Sequence, residues 1–493
     1  MIKDDFTKLE IYSIKVQPAF DKLSLDIIVH IFSFVQPLDI IPVRQTCKTL
    51  SYASRERIVW MNALRRVCAR HGVFAPTFPI ADMTVLQLEH SATSPTRLLA
   101  RIRRDLPTGS IQPMCTRMLT KLPATSAFHD TILVPGGRFL FTRSPGNIIE
   151  LWDLGFSPDS VIRLIASEFF QDKDIFIVYI QPKGDGLGIL VIVKVELTSN
   201  TFQYEVLEIH PSSPAPVFRR VGLLPFEEPS FAVSFTDDLF VIIQEAHVTV
   251  WNVVQDSWVK WQIDMEAESA YGMQCVKCDE NLVLVNDNTI SMWRIPPLVN
   301  RSINPNPPIE VRRPLFRHIL HVPTGFDGSM MVSRIGWPPS VSSKAHPFHF
   351  DVLYDQNDLT TTLGHHILHP IDNDVSEGLP SCFPLFVGET CNIPSSYDNS
   401  MHQRVEWLSP NDMLYIWTKN SDIMVMLSTL SASTDVPNKQ SSGIMWKSGL
   451  NSNAYPDTEF CPFSGRACVM DRQWEFSAAA EIRVMDYLLP LSR

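Results

Sequence analysis

Between residues 132 and 295 the chain repeats one unit, a pair of short apolar runs whose second member ends in an apolar–Trp step. Ile132–Phe141, with a Pro135-Gly136-Gly137 turn, leads to 147–154 and Trp152. Asp238–Ile243 leads to 247–253 and Trp251, and Asn281–Val285 leads to 288–295 and Trp293. A weaker fourth copy runs from Asp412 to Trp417. Gly, Pro, Asn and Asp bound these runs, as they bound antiparallel strands. Trp293 follows Trp251 by 42 residues, the repeat length of a four-stranded propeller blade. The 99 residues from Trp152 to Trp251 leave room for two blades, and the 124 from Trp293 to Trp417 for about three with insertions. Isolated hairpins would leave their edges open, and a closed ring of blades buries them. Residues 111–493 are therefore expected to form a β-propeller of six to eight blades. The segments 455–470 and 481–488 read as two last strands, placed to close the ring beside residues near 111–141.

These units resemble WD-type repeats in their Trp-ended strands. Trp152-Asp153 is the one Trp-Asp pair in them and the Gly-His opening is missing. With 20 Gly against 37 Pro, the turns are also atypical. Two stacked β domains are the alternative architecture. Residues 296–350 are the least readable part, where Pro296-Pro297 and 304–308 look like a long exposed inter-strand loop, and 431–442 reads as another polar loop.

Before residue 111 the periodicity is helical. Ile27/Ile28, Ile31/Phe32 and Val35 recur on one helix face, a break follows at Gln36-Pro37, and Ile40, Val43, Cys47 and Leu50 repeat at steps of three and four. A third run holds Ile58, Trp60, Met61 and Leu64. Helices this short cannot hide their apolar stripes alone, so residues 21–64 read as a docking module that needs a partner surface. Ser24 serves as a helix N-cap, and Pro42 is tolerable if it falls in a first turn. Residues 65–110 read as linker helices, one of them opening at Ser94-Pro95. On it Leu98, Leu99 and Ile102 face inward while Arg101, Arg103 and Arg104 face water.

The pattern Leu23, Asp26, Ile27, Ile28, then Ile31-Phe32-Ser33-Phe34-Val35, then Pro37, Asp39, Ile40 and finally Trp60 resembles an F-box. It departs from the family's Leu-Pro opening, with Ser24 in place of the proline. The resemblance implies a substrate-recognition adaptor without catalysis of its own. Its helical module would bind the Skp-type adaptor of a ubiquitin ligase, and through it a cullin, and the β domain would hold a protein substrate. It further implies that Leu23, Ile27, Ile28, Ile31, Phe32, Pro37, Leu38, Ile40 and Trp60 supply that contact or its immediate support. Residues 1–20 are left as an extension. The alternative reading is a propeller scaffold whose helices bind something else.

Charge and composition narrow the partners. Residues 21–105 carry 12 Lys/Arg against 7 Asp/Glu, residues 1–20 balance, and the whole chain is −11, leaving −16 on 106–493. The basic module suits an acidic protein partner, whereas the acidic remainder disfavours nucleic acid. No apolar run reaches membrane-span length, and Met1-Ile2-Lys3-Asp4-Asp5 is unlike a secretory leader. The chain is thus expected to be soluble and intracellular, in cytoplasm or nucleus. Nine dispersed cysteines fit free thiols.

A search for chemistry yields little, and no cofactor is expected. Gly184-Asp185-Gly186-Leu187-Gly188 reads as a turn, since no helix follows to cradle a phosphate. Cys275 and Cys278 have redox or zinc spacing but no second pair answers them. His346, His349, His365, His366 and His369 are the one cluster that could hold a metal, a minority reading against ordinary core or surface histidines. Glu227-Glu228 and Asp237-Asp238 read as solvated turn residues. Trp258 and Trp261, bracketing Lys260, are read as structural ahead of a recognition spot.

Overall fold

In the computed structural model, the described residues are 23–490, except 122–126, 172, 199–200, 227–231, 237, 245–246, 264–273, 279, 287–288, 304–308, 320–347, 358–359, 371–381, 395–403, 410, 420–421, 431–438, 448–454, 473–478 and 480. Five helices come first: α1 (Leu25–Phe32), α2 (Pro37–Val43), α3 (Lys48–Ala53), α4 (Arg57–Arg70) and α5 (Val85–Asp105). After a 3-10 turn at Leu106–Thr108, the regular elements among the described residues are all strands. β1 (Cys115–Thr120) stands apart from its neighbours in sequence. Blade 1 is β2 (Asp130–Leu133), β3 (Phe139–Ser144), β4 (Ile148–Asp153) and β5 (Arg163–Phe169). Blade 2 is β6 (Asp174–Pro182), β7 (Ile189–Thr198), β8 (Thr201–Ile209) and β9 (Arg219–Phe226).

Blade 3 is β10 (Ala232–Thr236), β11 (Leu239–Gln244), β12 (His247–Asn252) and β13 (Ser257–Ile263). Blade 4 contains β14 (Gln274–Cys278), β15 (Asn281–Asn286) and β16 (Thr289–Arg294). Its outer strand comes only after an insertion whose short strands β17 (Val299–Asn300) and β18 (Glu310–Arg312) turn back to pair with β13. β19 (Phe316–Ile319) then completes blade 4. Blade 5 is β20 (Phe348–Asn357), β21 (Thr360–Pro370) and β22 (Cys382–Pro394). Blade 6 is β23 (Arg404–Trp407), β24 (Asp412–Lys419), β25 (Asp422–Thr429) and β26 (Lys439–Trp446). The last three strands, β27 (Tyr455–Cys461), β28 (Arg466–Arg472) and β29 (Glu481–Asp486), take β1 as their fourth.

Among the described residues, six junctions between consecutive sheets have shared cores, which is what makes the seven sheets a propeller. Ile149 and Leu151 meet Val191 and Leu207 between blades 1 and 2. Ile192 and Tyr204 meet Phe240 and Trp251 between 2 and 3, and Trp261 meets Leu282 and Trp293 between 3 and 4. Leu363 meets Met413 and Trp417 between 5 and 6, and Leu414 meets Val469 between 6 and 7. Blade 7 returns to blade 1 through Met470 and Val484 against Leu140 and Trp152. First strands lie side by side around the axis: β6 touches β10, β10 touches β14, and β27 touches β2. Each inner sheet is covered on both faces, so β7 reads as a continuous apolar run instead of an alternating one. Closure is the expected one, with Cys115 opposite Asp486 and Thr120 opposite Glu481.

Several sequence expectations are corrected. The C-terminal part forms three strands, not two, because Thr458–Cys461 and Arg466–Met470 fold back on each other across a four-residue turn. Within 296–350, left unread in the sequence, lie β17, β18, β19 and the start of β20, and Lys439–Ser442, read as loop, belong to β26. The Pro-rich stretch 304–308 lies outside the described residues. Trp417 sits on the second strand of its blade, whereas Trp152, Trp251 and Trp293 sit on third strands. The Trp293–Trp417 interval therefore spans two blade steps, not three, and it holds the β17–β18 insertion as well as the long strands of blade 5. Instead of starting at Ser94-Pro95, α5 is one helix from Val85. Thr84 caps it in a capping box with Gln87, and Pro95 lies inside. There the Ser94 and Thr93 hydroxyls donate to the carbonyls of His90 and Glu89.

Candidate docking site on the helical module

α1 divides its apolar residues between two faces. Ile28 and Phe32 are buried, together with Ile40, Leu50, Trp60 and Leu64, in the core of the module. Ile27 and Ile31, one turn apart on the other face, are 49 % and 37 % exposed, and Leu25 is 39 % exposed. Phe34 follows in the turn after α1, 78 % exposed, its ring edge-on to His30 at 5.0 Å. Tyr52 on α3 (65 %) and Ile58 on α4 also face outward. The helix starts at Ser24, whose backbone is extended and whose carbonyl accepts from Ile28, although its hydroxyl makes no capping bond. Pro37 is the first residue of α2, where its missing N–H is no loss. Pro42, expected in a first turn, lies near the C-terminal end of that helix instead.

Trp60 is the pivot of the core. Its indole N–H donates to the Ser54 carbonyl at 2.8 Å, and the Arg44 guanidinium lies over its ring at 5.6 Å while pairing with Glu89 of α5 at 2.8 Å. Arg66 donates to the Val35 carbonyl at 3.0 Å, and Arg57 to those of Ile80 and Ala81. Of the nine residues singled out in the sequence, Ile28, Phe32, Pro37, Ile40 and Trp60 are buried. Leu23 and Leu38 are partly exposed, and Ile27 and Ile31 are exposed. Leu25, Phe34, Tyr52 and Ile58 were missed. For Phe34 the signal was its spacing of three residues from Ile31, whereas Leu25, two residues before Ile27, lies on a different side of α1.

The module is fastened to the propeller without a free linker. Phe78 packs on Phe156 of blade 1 and Phe463 of blade 7, His71 lies edge-on to Phe463, and the Phe74 N–H donates to the Pro135 carbonyl. Of the α5 arginines expected to face water, Arg103 and Arg104 are exposed, while Arg101 is half-buried. Arg101 donates to the carbonyls of Tyr487 and Gln112, Arg97 to that of Leu489, and Arg103 pairs with Asp412 at 2.6 Å. Much of the module's basic excess is thus used internally. Burial, and then the Arg70 charge, lower the His71 pKa to about 4. Burial and Arg97 bring His90 to about 4 against the pull of Asp486. Under the helices, Arg466 is buried between blades 7 and 1, bonded to Asp486 and to the Gly137 and Gly155 carbonyls at 2.6 Å each.

The chemical candidates that fall among the described residues sit in the framework of the propeller. His365 is buried, with Nδ1 2.6 Å from Asp351 and Nε2 2.7 Å from Thr390, whose hydroxyl meets Ser428 across the blade 5–6 boundary. Burial lowers His366 to about 4. His346 and the side chains of His349 and His369 lie outside the described residues. No cluster of metal-ligating side chains occurs among the described residues. Cys275 is buried in β14 and its thiol is pushed up to about 12 by burial, the opposite of a reactive thiolate. Gly184–Gly188 is the β6–β7 turn, with Asp185 accepting from the N–H groups of Leu187 and Gly188. Asp238 is a turn residue at φ 63°, while Asp237, Glu227 and Glu228 fall outside the description. Trp261 is buried and Trp258 pairs across to Trp251. No helix among the described residues is long and apolar enough to cross a membrane.

Comparison with known families decides the helical module, since the F-box domain family matches residues 20–62. The module is an F-box domain. No curated protein sequence matches the chain. Among solved structures, the β-propeller domain of Myceliophteria thermophila Cps50 (Swd1) aligns with 75 % of this chain and 99 % of its own, at 9 % identity and TM-score 0.44. The RRP9 WD40 repeats align with 76 % and 99 %, at 11 % identity and TM-score 0.41. The C-terminal WD40 domain of Sif2 aligns with 75 % and 84 %, at 12 % and 0.39. The F-box domain thus sits at the head of a seven-sheet propeller whose blade cores and β1–β29 closure are its own evidence.

Proposed function

We propose that this chain is a substrate-recognition adaptor of a Skp–cullin–F-box type ubiquitin ligase. The F-box docks a Skp-type adaptor and through it a cullin, and the propeller holds a protein substrate. The observation that carries this reading is the pair Ile27 and Ile31, left uncovered on the outer face of α1 while Ile28 and Phe32 are packed, with Leu25, Phe34, Tyr52 and Ile58 also exposed on the module. Burying such a side chain yields about 1.5–3 kcal/mol, so a few of these anchors supply a usable interface. Leu23, Ile27, Ile31 and Leu38 make the contact, and Ile28, Phe32, Pro37, Ile40 and Trp60 hold them in place.

The chain performs no bond chemistry in this role. Its contribution is proximity, because tethering raises the effective concentration of substrate near the ligase. The helices occupy the side of the ring bearing the turns at 134–138, 409–412 and 462–465. Antiparallel strands put the next hairpin turns on the opposite side, and that free side receives the substrate.

The test is capture of the full-length chain on an immobilised Skp-type adaptor. Wild type should be retained, and Ile27→Asp/Ile31→Asp should be lost while melting at the wild-type temperature. Phe32 is unsuitable for this purpose, since its ring is core and its replacement unfolds the module. Retention of the folded double variant would end the reading.

A further inference from the structure

Between Lys48 and Lys121 the sequence contains ten arginines and no lysine. This lysine-free stretch, residues 49–120, covers α4, α5 and the seam under the propeller. Part of the bias has a geometric cause. Arg57, Arg66, Arg97, Arg101 and Arg117 each reach two or more acceptors, mostly backbone carbonyls. A planar guanidinium with five donors can do this and a single ammonium cannot.

That cause does not extend to Arg55, Arg65, Arg70 and Arg104, which are exposed. Arg104 pairs only with its neighbour Asp105. At an exposed helical position Lys and Arg have nearly equal helix propensity and the same charge, so packing gives no reason to prefer one. The two differ in nucleophilicity. A lysine amine can give up a proton and attack, whereas a guanidinium stays protonated. Beyond this stretch the amines reappear. Lys121 is enclosed by Glu150, Ser144 and the Phe128 ring, but Lys439 and Lys447 on blade 6 are exposed, and so is Lys48 ahead of the stretch.

Resting on the adaptor reading above, we infer that residues 49–120 are kept free of amine acceptors so that the ligase does not modify its own receptor at the clamp between F-box and propeller. The co-reactant is a ubiquitin C-terminal thioester on a carrier enzyme. The lysine Nζ lone pair attacks the thioester carbonyl carbon, a C–N bond forms, the C–S bond breaks, and the amine proton ends on the departing thiol. No net oxidation occurs. A guanidinium at the same place leaves the thioester intact. Ubiquitin attached at these exposed positions would crowd the helices that join F-box and ring, at Arg104 next to where Arg101 and Arg103 reach their partners.

The test places Arg65→Lys/Arg70→Lys/Arg104→Lys in the full-length chain and reconstitutes it with a Skp-type adaptor, cullin, RING subunit, carrier enzyme and ubiquitin. Adducts are mapped by mass spectrometry. Melting temperature and adaptor capture should match wild type, since charge and helix propensity are kept. The inference expects new adducts at positions 65, 70 or 104 and faster total self-modification. Adducts on Lys48, Lys439 or Lys447 with the introduced lysines untouched would overturn it while leaving the adaptor reading intact. No adduct in either protein, together with no adaptor capture, would overturn both. Adaptor capture with no adduct in either protein would overturn this inference alone.

Discussion

α1 and α5 are both amphipathic, yet only α5 finds cover for its whole apolar face. Leu88 and Ala92 pack in the F-box core, and Leu98, Leu99 and Ile102 against blades 6 and 7, so that helix is finished within the chain. α1 has two apolar faces, and the protein covers one of them. A chain able to bury a 21-residue helix beside its propeller has not run out of apolar surface. On the proposed reading, Ile27 and Ile31 stay outside to meet a partner and not for want of core.

The sharpest break of this contrast is Phe32→Ala. Removal of a buried ring costs about 3–5 kcal/mol, and the F-box amides should lose hydrogen-exchange protection while blades 2–4 keep theirs. Leu98→Ala, the equivalent cut on α5, should cost about 2–5 kcal/mol. Because Leu98 belongs to the core shared with blades 6 and 7, it should lower protection on both sides of the seam. A denaturation midpoint that fell with no change in blades 6 and 7 would show that α5 is not a shared element.

A smaller effect should come from pH. His71 and His90, ordinarily near 6.5, are held at about 4 in the folded chain. As pH falls the unfolded chain takes up those protons first, so the stability present above 6.5 declines toward 4. His366 titrates in the same window, so His71→Asn/His90→Gln should flatten, not abolish, the slope of urea midpoint against pH. An unchanged slope would remove the seam histidines from the account. The smallest effect on stability is expected for Ile27→Ala/Ile31→Ala, within about 0.5 kcal/mol for each exposed site, with adaptor affinity nonetheless reduced. A large drop in melting temperature would mean that α1's outer face is covered within the chain.

Legibility in the sequence followed the range of the interactions involved. The Trp-ended hairpins, the F-box pattern and ring closure by the first and last strands were readable because each rests on local periodicity or on a chain end. Ile27 and Ile28 were not separable, since adjacent apolar residues carry the same signal and only the packing of α3 and α4 assigns one to each face. Pro95 looked like a helix start because Ser-Pro usually is one, and the capping box at Thr84 outweighs it. Trp417 imitated a third strand while occupying a second. The return of β17 and β18 to blade 3 and the grip of Arg101 on residues near 487 join segments far apart in the chain, which no local pattern announces.

Pairing of Cys115 with Asp486 also sets a timetable. Closing so long a loop costs about 5 kcal/mol from the logarithmic length term alone, and at ribosomal speeds the intervening chain takes tens of seconds to appear. Through that interval β1 is an unpaired strand, and the blade 7 side of α5 has nothing to rest on. The F-box, by contrast, is complete within the first hundred residues. A ribosome therefore displays the F-box of this protein long before the propeller can close, and a chain stopped short of residue 481 would carry the helical module without the finished ring.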